Sequence, residues 1–444
     1  MKQPMTRREF ARTAAGAAAA LAASRWASGQ APPPSEKIRV ATIGCGGMGG
    51  AHIDQLIQIP EVEVVALSDV DEGRVQAAAA KVEKARGRRP QTFRDFRKLL
   101  DLKDLDAVTI ATPDHWHANA MISACQAGKD VYCEKPISHD IAEGRAMVTA
   151  AEKAKRVVQI GTQQRSSAGF RKAIDLVRSG AIGRIVETLT WNCDNSPGNG
   201  RPPDEEPPKD VDYDRWLGPA PKRPFNKNRF HYNWRWFFDY GGGMMCDWNV
   251  HSQDIVHVAM DAWSPVSVDM FGQIVRDDNR DTPDTIKAVY EFDVPQGRFT
   301  QTYILRRTNA FSPDGKPAHA GHGILFYGEK GTLFVNRFGW ELTPEKDQGA
   351  PQSGPVETPL IPHFRNFLEC VKTRGKTTSD IVSMHGTTAA CHLGNISWRV
   401  GRRIHWDAKN EKCFRDAALT MPDEDANRLL SREYRAGYEL PKIL

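Results

Sequence analysis

The 444-residue chain predicts an α/β protein, with a doubly wound parallel sheet in its first part and an α/β domain with an open, mostly antiparallel sheet in its second. Three observations carry that expectation. Short apolar runs alternate with helical patterns up to residue 162, a glycine-rich turn joins the first run to the first helix, and beyond residue 163 successive strand patterns replace the alternation. This length exceeds one compact core, so two domains with extensions are expected. The divisions read from the sequence are 1–31 (signal and linker), 36–162, 163–407 and a tail at 408–444.

In the first domain a continuous apolar run at 38–43 reads as a buried strand, followed by glycines and a helix to Gln58. Further strands are expected at 62–67, 107–111, 130–133 and 157–160, with helices at 72–84, 117–127 and 141–153. Strands alternating with helices imply right-handed crossovers and a parallel sheet. In the second domain a helix at 170–179 precedes strands at 184–192, 266–274, 285–292, 298–305 and 323–327. The intervening segment 195–239, rich in Pro, Arg and aromatics, is too long for a structureless loop and predicts a lid, a substrate wall or a subunit contact.

Residues 1–31 read as an export signal. Thr6-Arg7-Arg8-Glu9-Phe10 is a twin-arginine signature, and the Ala-rich run at 14–23 that follows is too short to span a bilayer. The expectation is therefore passage through the twin-arginine translocase to the periplasm or outside, with no stable membrane anchor. The whole chain carries 60 Lys and Arg against 55 Asp and Glu, a net +5. Without Lys2, Arg7, Arg8, Arg12, Arg25 and Glu9 the net charge falls to +1, which leaves no electrostatic case for nucleic acid. The eight cysteines form no Cys-x-x-Cys pair and are expected to be buried thiols, since twin-arginine cargo folds before it leaves the reducing cytoplasm.

Gly44-Cys45-Gly46-Gly47-Met48-Gly49 fits the dinucleotide fingerprint at a strand-to-helix turn. Its glycines allow the tight turn, the close approach of a pyrophosphate and the packing of helix on strand. Twenty residues on, Asp69 is expected to accept hydrogen bonds from an adenosine ribose, which favours NAD over NADP. Thr112-Pro113-Asp114-His115-Trp116-His117 follows a strand at its ligand-binding end, so Thr112, Pro113 and His117 are expected at the nicotinamide, while His115 fits a pocket or a surface turn equally.

Lys135, in Glu134-Lys135-Pro136, ends the next strand, where an ammonium can stabilise an alkoxide as hydride leaves carbon. Gly241-Gly242-Gly243 runs on to Asp247 and His251. If helical, the last two share a face; His251 then takes the hydroxyl proton and Asp247 orients it. A metal site from Asp247, His251 and either Asp254 or His257 is the disfavoured rival, because His257 faces elsewhere, and no metal is expected. Trp234, Trp236 and Tyr240, with Arg165, are the expected substrate contacts, since sugars stack their C–H faces on aromatic rings.

Together Gly44 to Gly49, Glu134-Lys135-Pro136, the Gly-Gly-Gly-x-x-x-Asp-x-x-x-His run and Gly328-Glu329-Lys330-Gly331-Thr332 resemble the Gfo/Idh/MocA oxidoreductase family, over 37–407. The resemblance implies an N-terminal Rossmann domain, an open C-terminal sheet used for oligomer contacts (a dimer or tetramer), and a catalytic Lys, Asp and His matching Lys135, Asp247 and His251. Asn249 departs from the glycine usual in the family. The segment 195–239 and the tail resemble exported, carbohydrate-associated members. The leading expectation is an NAD-dependent dehydrogenase that oxidises a secondary hydroxyl of a sugar or glycoside, plausibly at C3, with a retained cofactor. The alternatives are a redox-neutral glycosidase using the same residues and, more remotely, a sugar-binding protein without catalysis.

Overall fold

The computed structural model describes residues 37–319 and 321–443, so the export signal expected at 1–31 lies outside the described residues. The chain opens as β1 (Ile38–Ile43), α1 (Gly47–Leu56), β2 (Val62–Ser68), α2 (Glu72–Arg86), β3 (Gln91–Phe93), α3 (Phe96–Leu100), β4 (Ala107–Ile110), α4 (His117–Gln126), β5 (Asp130–Cys133), α5 (Ile141–Ala154) and β6 (Val158–Ile160). The six strands are parallel in the order β3-β2-β1-β4-β5-β6. The order reverses between β1 and β4, so their carboxyl ends splay into the crevice where such sheets hold ligands. Val40, Ala41, Val108 and Ile110 are fully buried, which explains why these strands read as unbroken apolar runs.

The second part begins with α6 (Ala168–Arg178) and β7 (Ile185–Cys193), then α7 (Tyr213–Leu217), α8 (Val250–Met260), β8 (Ser267–Gln273), β9 (Thr285–Val294) and β10 (Gly297–Arg306). It continues as β11 (His322–Gly328), β12 (Gly331–Val335), β13 (Gly339–Pro344) and β14 (Gln352–Pro355). Two helices, α9 (Leu360–Thr373) and α10 (Ile381–Val400), precede β15 (Ile404–Asp407) and β16 (Lys412–Phe414). The ten-stranded sheet has the order β14-β13-β12-β11-β7-β10-β9-β8-β15-β16. Only β7 and β10 run parallel; the other pairings are antiparallel. Helices α8 and α10 cover one face, over Tyr290, Phe292 and Tyr303, all fully buried.

The division at 163 does not separate the packing. Helix α9 returns to the first sheet, where the Phe364 ring stacks on Tyr132 at 4.5 Å and lies edge-on to His52. Phe364 and Phe367 share a core with Val40, Ile53 and Leu67. The tail after 408 is likewise integral: β16 completes the sheet edge, Tyr438 packs on Trp116, and Asn119 donates to the carbonyls of Tyr438 and Glu439 at 3.0 Å each. Among the described residues no helix is long and apolar enough to cross a membrane.

Candidate functional site

The crevice beyond β1 and β4 is a cleft of about 530 Å³, within the roughly 300–1,000 Å³ usual for small-molecule sites. The glycine turn forms its floor. Gly44 has φ +86°, and a methyl group there would stand 2.7 Å from the Ala111 carbonyl oxygen, so the ends of β1 and β4 meet only through glycine. At Gly49 a methyl would stand 1.8 Å from the Gly44 carbonyl oxygen. Gly46 caps α1 with no side-chain hydrogen bond, which leaves the first N–H groups of the helix free for an anion. Gly49→Ala is therefore expected to abolish nucleotide binding and to cost typically about 1–3 kcal/mol, the range for overpacking. Gly47→Ala, with nothing within 4 Å, should melt like the parent; calorimetric NAD titration and thermal denaturation check both.

Asp69 stands at the end of β2, where its carboxylate accepts the N–H groups of Cys45 (2.7 Å) and Asp71 (2.9 Å). Burial pushes its pKa up, against the pull of those two donors. Arg74 lies over the turn, with its guanidinium 2.4 Å from where a Gly46 methyl would be, and its Nε is 3.5 Å from Asp71. Gly46, Gly47, Met48, Thr112 and Pro113 all line the cleft.

Lys135 brings the two sheets' functional residues together. Its Nζ donates to the Asp247 carboxylate at 2.9 Å and to the Asp247 backbone oxygen at 2.8 Å. Arg235 Nε lies 3.0 Å from the other Asp247 oxygen. Burial would raise the Asp247 pKa, but the Lys135 and Arg235 charges and hydrogen bonds win and hold it down at about 2. The Arg235 guanidinium lies 4.2 Å from the Tyr232 ring centroid and 4.8 Å from that of Trp234. The segment 195–239 is thus a wall of the cleft, contributing Arg215, Trp216, His231, Tyr232, Trp234 and Arg235.

Glu134 supports Lys135 from behind. It also lines the cleft, and its carboxylate is 2.9 Å from His52 Nε2 on α1. Burial alone would raise its pKa; the His52 hydrogen bond and the His52 and Lys135 charges outweigh it and keep Glu134 ionised. His117 does not line the cleft as expected. Its Nδ1 is 2.8 Å from the Pro136 carbonyl and its Nε2 2.9 Å from that of Thr112, so the ring ties the two loops that carry Lys135 and Thr112. His115 is fully buried against Trp216 and Tyr240, and burial lowers its pKa to about 3.

Several expected contacts sit elsewhere. Arg165 is buried on Asp254, with Nε at 2.8 Å, and donates to Ser383 and to the Thr378 carbonyl; it is a structural ion pair and not a substrate contact. The same pairing occupies the Asp254 carboxylate that a metal would have needed. Trp236 is 4% exposed, with Arg307 over its ring at 4.7 Å, and belongs to the core. Tyr240 is wholly buried, 4.9 Å from the Trp216 ring centroid, and is also core. Of the three aromatics only Trp234 reaches the cleft.

Asp247 and His251 do not pair. Residues Met245–Asn249 form a π-helical turn before α8, so the four-residue spacing does not give the shared face of an α-helix. Both Asp247 oxygens are held by Lys135 and Arg235, whereas His251 is not among the cleft-lining residues and lies beside Trp248, with its Nδ1 buried and unpartnered. Burial, then the Arg337 and Lys135 charges, push the His251 pKa well below the ordinary value. Asn249, where glycine was expected, bolts the turn to the core: its amide accepts from Thr190 at 3.2 Å and donates to Gln253 at 2.8 Å.

Sequence reasoning did not single out Arg74, Asp114, His231 or Arg235, all of which line the cleft. Asp114 stood inside a noted segment, and Arg235 between two noted tryptophans. Among the described residues no three His, Cys, Asp or Glu side chains gather as a metal-binding set.

Residues 38–162 match the family model described as "Oxidoreductase family, NAD-binding Rossmann fold", and residues 184–295 its companion, "Oxidoreductase family, C-terminal alpha/beta domain". Inositol 2-dehydrogenase of Rubrobacter xylanophilus is 33% identical over 168 residues, 37% of this chain and 47% of that one. Myo-inositol 2-dehydrogenase of Thermotoga maritima is 31% identical over 149 residues, 33% of this chain and 42% of that one. The chain thus spans about half the length of the curated relatives it matches. Among solved structures, the aldose-aldose oxidoreductase of Caulobacter crescentus in complex with glycerol shares the fold, with a TM-score of 0.63 at 20% identity over 83% of this chain and 99% of that one. Levoglucosan dehydrogenase in complex with NADH and L-sorbose gives 0.64 at 18% identity, with coverages of 83% and 99%. The two family models take in more than half of the residues and meet at the Lys135–Asp247 contact, so the chain belongs to the Gfo/Idh/MocA oxidoreductase family.

Proposed function

We propose that the protein is an NAD-dependent oxidoreductase acting on a secondary hydroxyl of a sugar or glycoside, at C3. The observation that carries this reading is the Lys135 ammonium, held 2.9 Å from Asp247 in the same cleft as the glycine turn. The floor fits a dinucleotide, because the uncapped N-terminus of α1 is open and side chains are excluded at Gly44 and Gly49. Bound NAD would supply the hydride acceptor. Lys135 donates a hydrogen bond to the substrate oxygen and stabilises the negative charge that develops on it. Asp247, ionised at all working pH values, fixes the ammonium and exchanges no proton itself. His251, kept neutral by burial, is the proposed proton acceptor, a role that requires its free Nδ1 to turn to the substrate hydroxyl once the cleft is filled.

Asp69 and Asp71 at the ribose end favour NAD over NADP, and Arg74 is already engaged with Asp71. Exposed Tyr232 and half-buried Trp234 offer ring faces for a sugar's C–H groups. The relatives named for inositol, aldose and levoglucosan support a polyhydroxylated ring as substrate. Export through the twin-arginine translocase, with the cofactor loaded beforehand and retained, is part of the proposal; the eight buried, unpaired thiols agree with folding before exposure to oxidant. A homo-oligomer is proposed as well, through the open sheet face that exposes Phe271.

The test is to dialyse purified protein, release any nucleotide by heat, identify it by mass, and feed a glycoside panel to intact protein while following reduced-nicotinamide absorbance. Stoichiometric NAD that becomes and stays reduced supports the dehydrogenase. Aglycone release without lasting reduction shows the redox-neutral glycosidase, and protein that neither carries nor binds NAD overturns the proposal. The sign of the pH dependence is set by His251: it must be neutral to accept a proton, and its pKa is depressed. The acid limb of kcat/KM, which reports the free enzyme, is expected below the limb of an exposed histidine.

A further inference from the structure

Among the described residues, one carboxyl in the cleft has no partner beyond its own backbone N–H. Asp114 follows Pro113 at the carboxyl end of β4, is 4% exposed, and lines the cleft beside Lys135, Trp234, Arg235 and Asp247. Its Oδ2 lies 3.1 Å from where a methyl at Gly241 would be, so that glycine leaves the carboxyl its seat. Among the described residues no other residue donates a hydrogen bond to it. Buried polar groups are nearly always well paired, so a carboxyl on a cleft wall whose single donor is its own N–H has capacity left for a ligand group.

Its surroundings fix its form. The nearest cations, Lys135 and Arg235, are both bound to Asp247, whose negative charge opposes a second ionisation alongside. Burial comes first and Asp247 adds to it, together raising the Asp114 pKa well above the carboxylate range against the pull of Lys135 and Arg235. A neutral carboxyl both donates and accepts, as a hydroxyl does.

We propose that Asp114 is a substrate-positioning residue that hydrogen-bonds a hydroxyl adjacent to the one oxidised, and so selects vicinal polyols over isolated alcohols. This rests on the oxidoreductase reading, and the test separates the two. Infrared difference spectra of the NAD-loaded protein at neutral pH are expected to contain a protonated carboxylic acid band that is lost in Asp114→Asn and shifts when myo-inositol, D-glucose or methyl β-D-glucoside binds. Calorimetry with these probes and their monodeoxy analogues gives the second readout. Wild type should disfavour the analogue that lacks the neighbouring hydroxyl by about ten- to a hundredfold, the effect of leaving one buried group unpaired. Asp114→Leu should erase that preference, mainly through KM, and Asp114→Asn, which keeps a donor and an acceptor, should retain it. An absent band, or an unchanged preference in a folded Asp114→Leu, overturns the proposal. Binding that follows this pattern without any NAD reduction overturns the oxidoreductase reading and leaves the role of Asp114 standing.

Discussion

Replacing Lys135 with alanine is expected to lower kcat roughly 100- to 1,000-fold, the cost of removing one donor to a developing oxyanion. Nucleotide binding should survive, because the glycine turn, Asp69 and Arg74 lie at the other end of the cleft. The variant also strips Asp247 of two of its three polar contacts, leaving Arg235 alone on the carboxylate. Single-turnover reduction of bound NAD, measured beside NAD affinity, isolates the chemical step. Arginine at 135 should not restore the rate, since a planar fork does not reproduce a point charge donating to two oxygens of one residue. Unchanged turnover in a folded Lys135→Ala would revive the non-catalytic reading.

Arg165→Met is expected to be the most damaging change to stability. It leaves the Asp254 carboxylate, with no exposure at all, without its guanidinium inside a helix that packs against α6 and the ten-stranded sheet. Removing one partner of such a pair costs about 3–5 kcal/mol, whereas replacing both with apolar groups of similar volume is often close to neutral. Denaturant titration of Arg165→Met, Asp254→Leu and the double variant should therefore show the double losing less than either single. Equal losses in all three would mean that the guanidinium's bonds to Ser383 and the Thr378 carbonyl dominate.

The first sheet was legible because parallel strands buried on both faces must be written as apolar runs, and the one at 38–43 coincides with β1. The fingerprint glycines were legible for a related reason, since short-range backbone chemistry dictates them, whereas the contact that joins Lys135 to Asp247 across two sheets was not. Helix α10 was not. It is buried nearly all round, contains Gly386 and Gly394 and shows no polar stripe from which a period could be read. The aromatic wall failed differently. Residues 231–236 form an irregular 3-10 stretch, so nothing in the spacing tells Trp234, on the cleft, from Trp236, under Arg280 and Arg307. A π-turn over residues 245–249 likewise separates Asp247 from His251 where α-helical spacing would have joined them.

Helix α9 has a bearing on modularity. Its Phe364 and Phe367 close the apolar underside of a sheet that ended two hundred residues earlier, and His363 reaches to 2.8 Å from the Ile160 carbonyl while its own carbonyl accepts from Gln159 at 2.6 Å. Cut after residue 162, the nucleotide-binding half would turn that face to water and leave polar groups at its last strand unmatched. It is therefore not a cassette to be moved between proteins by exchanging sequence up to the apparent boundary. A chimera has to carry the distant helix with it, and recombination within this fold is constrained by a piece of the first domain that is encoded inside the second.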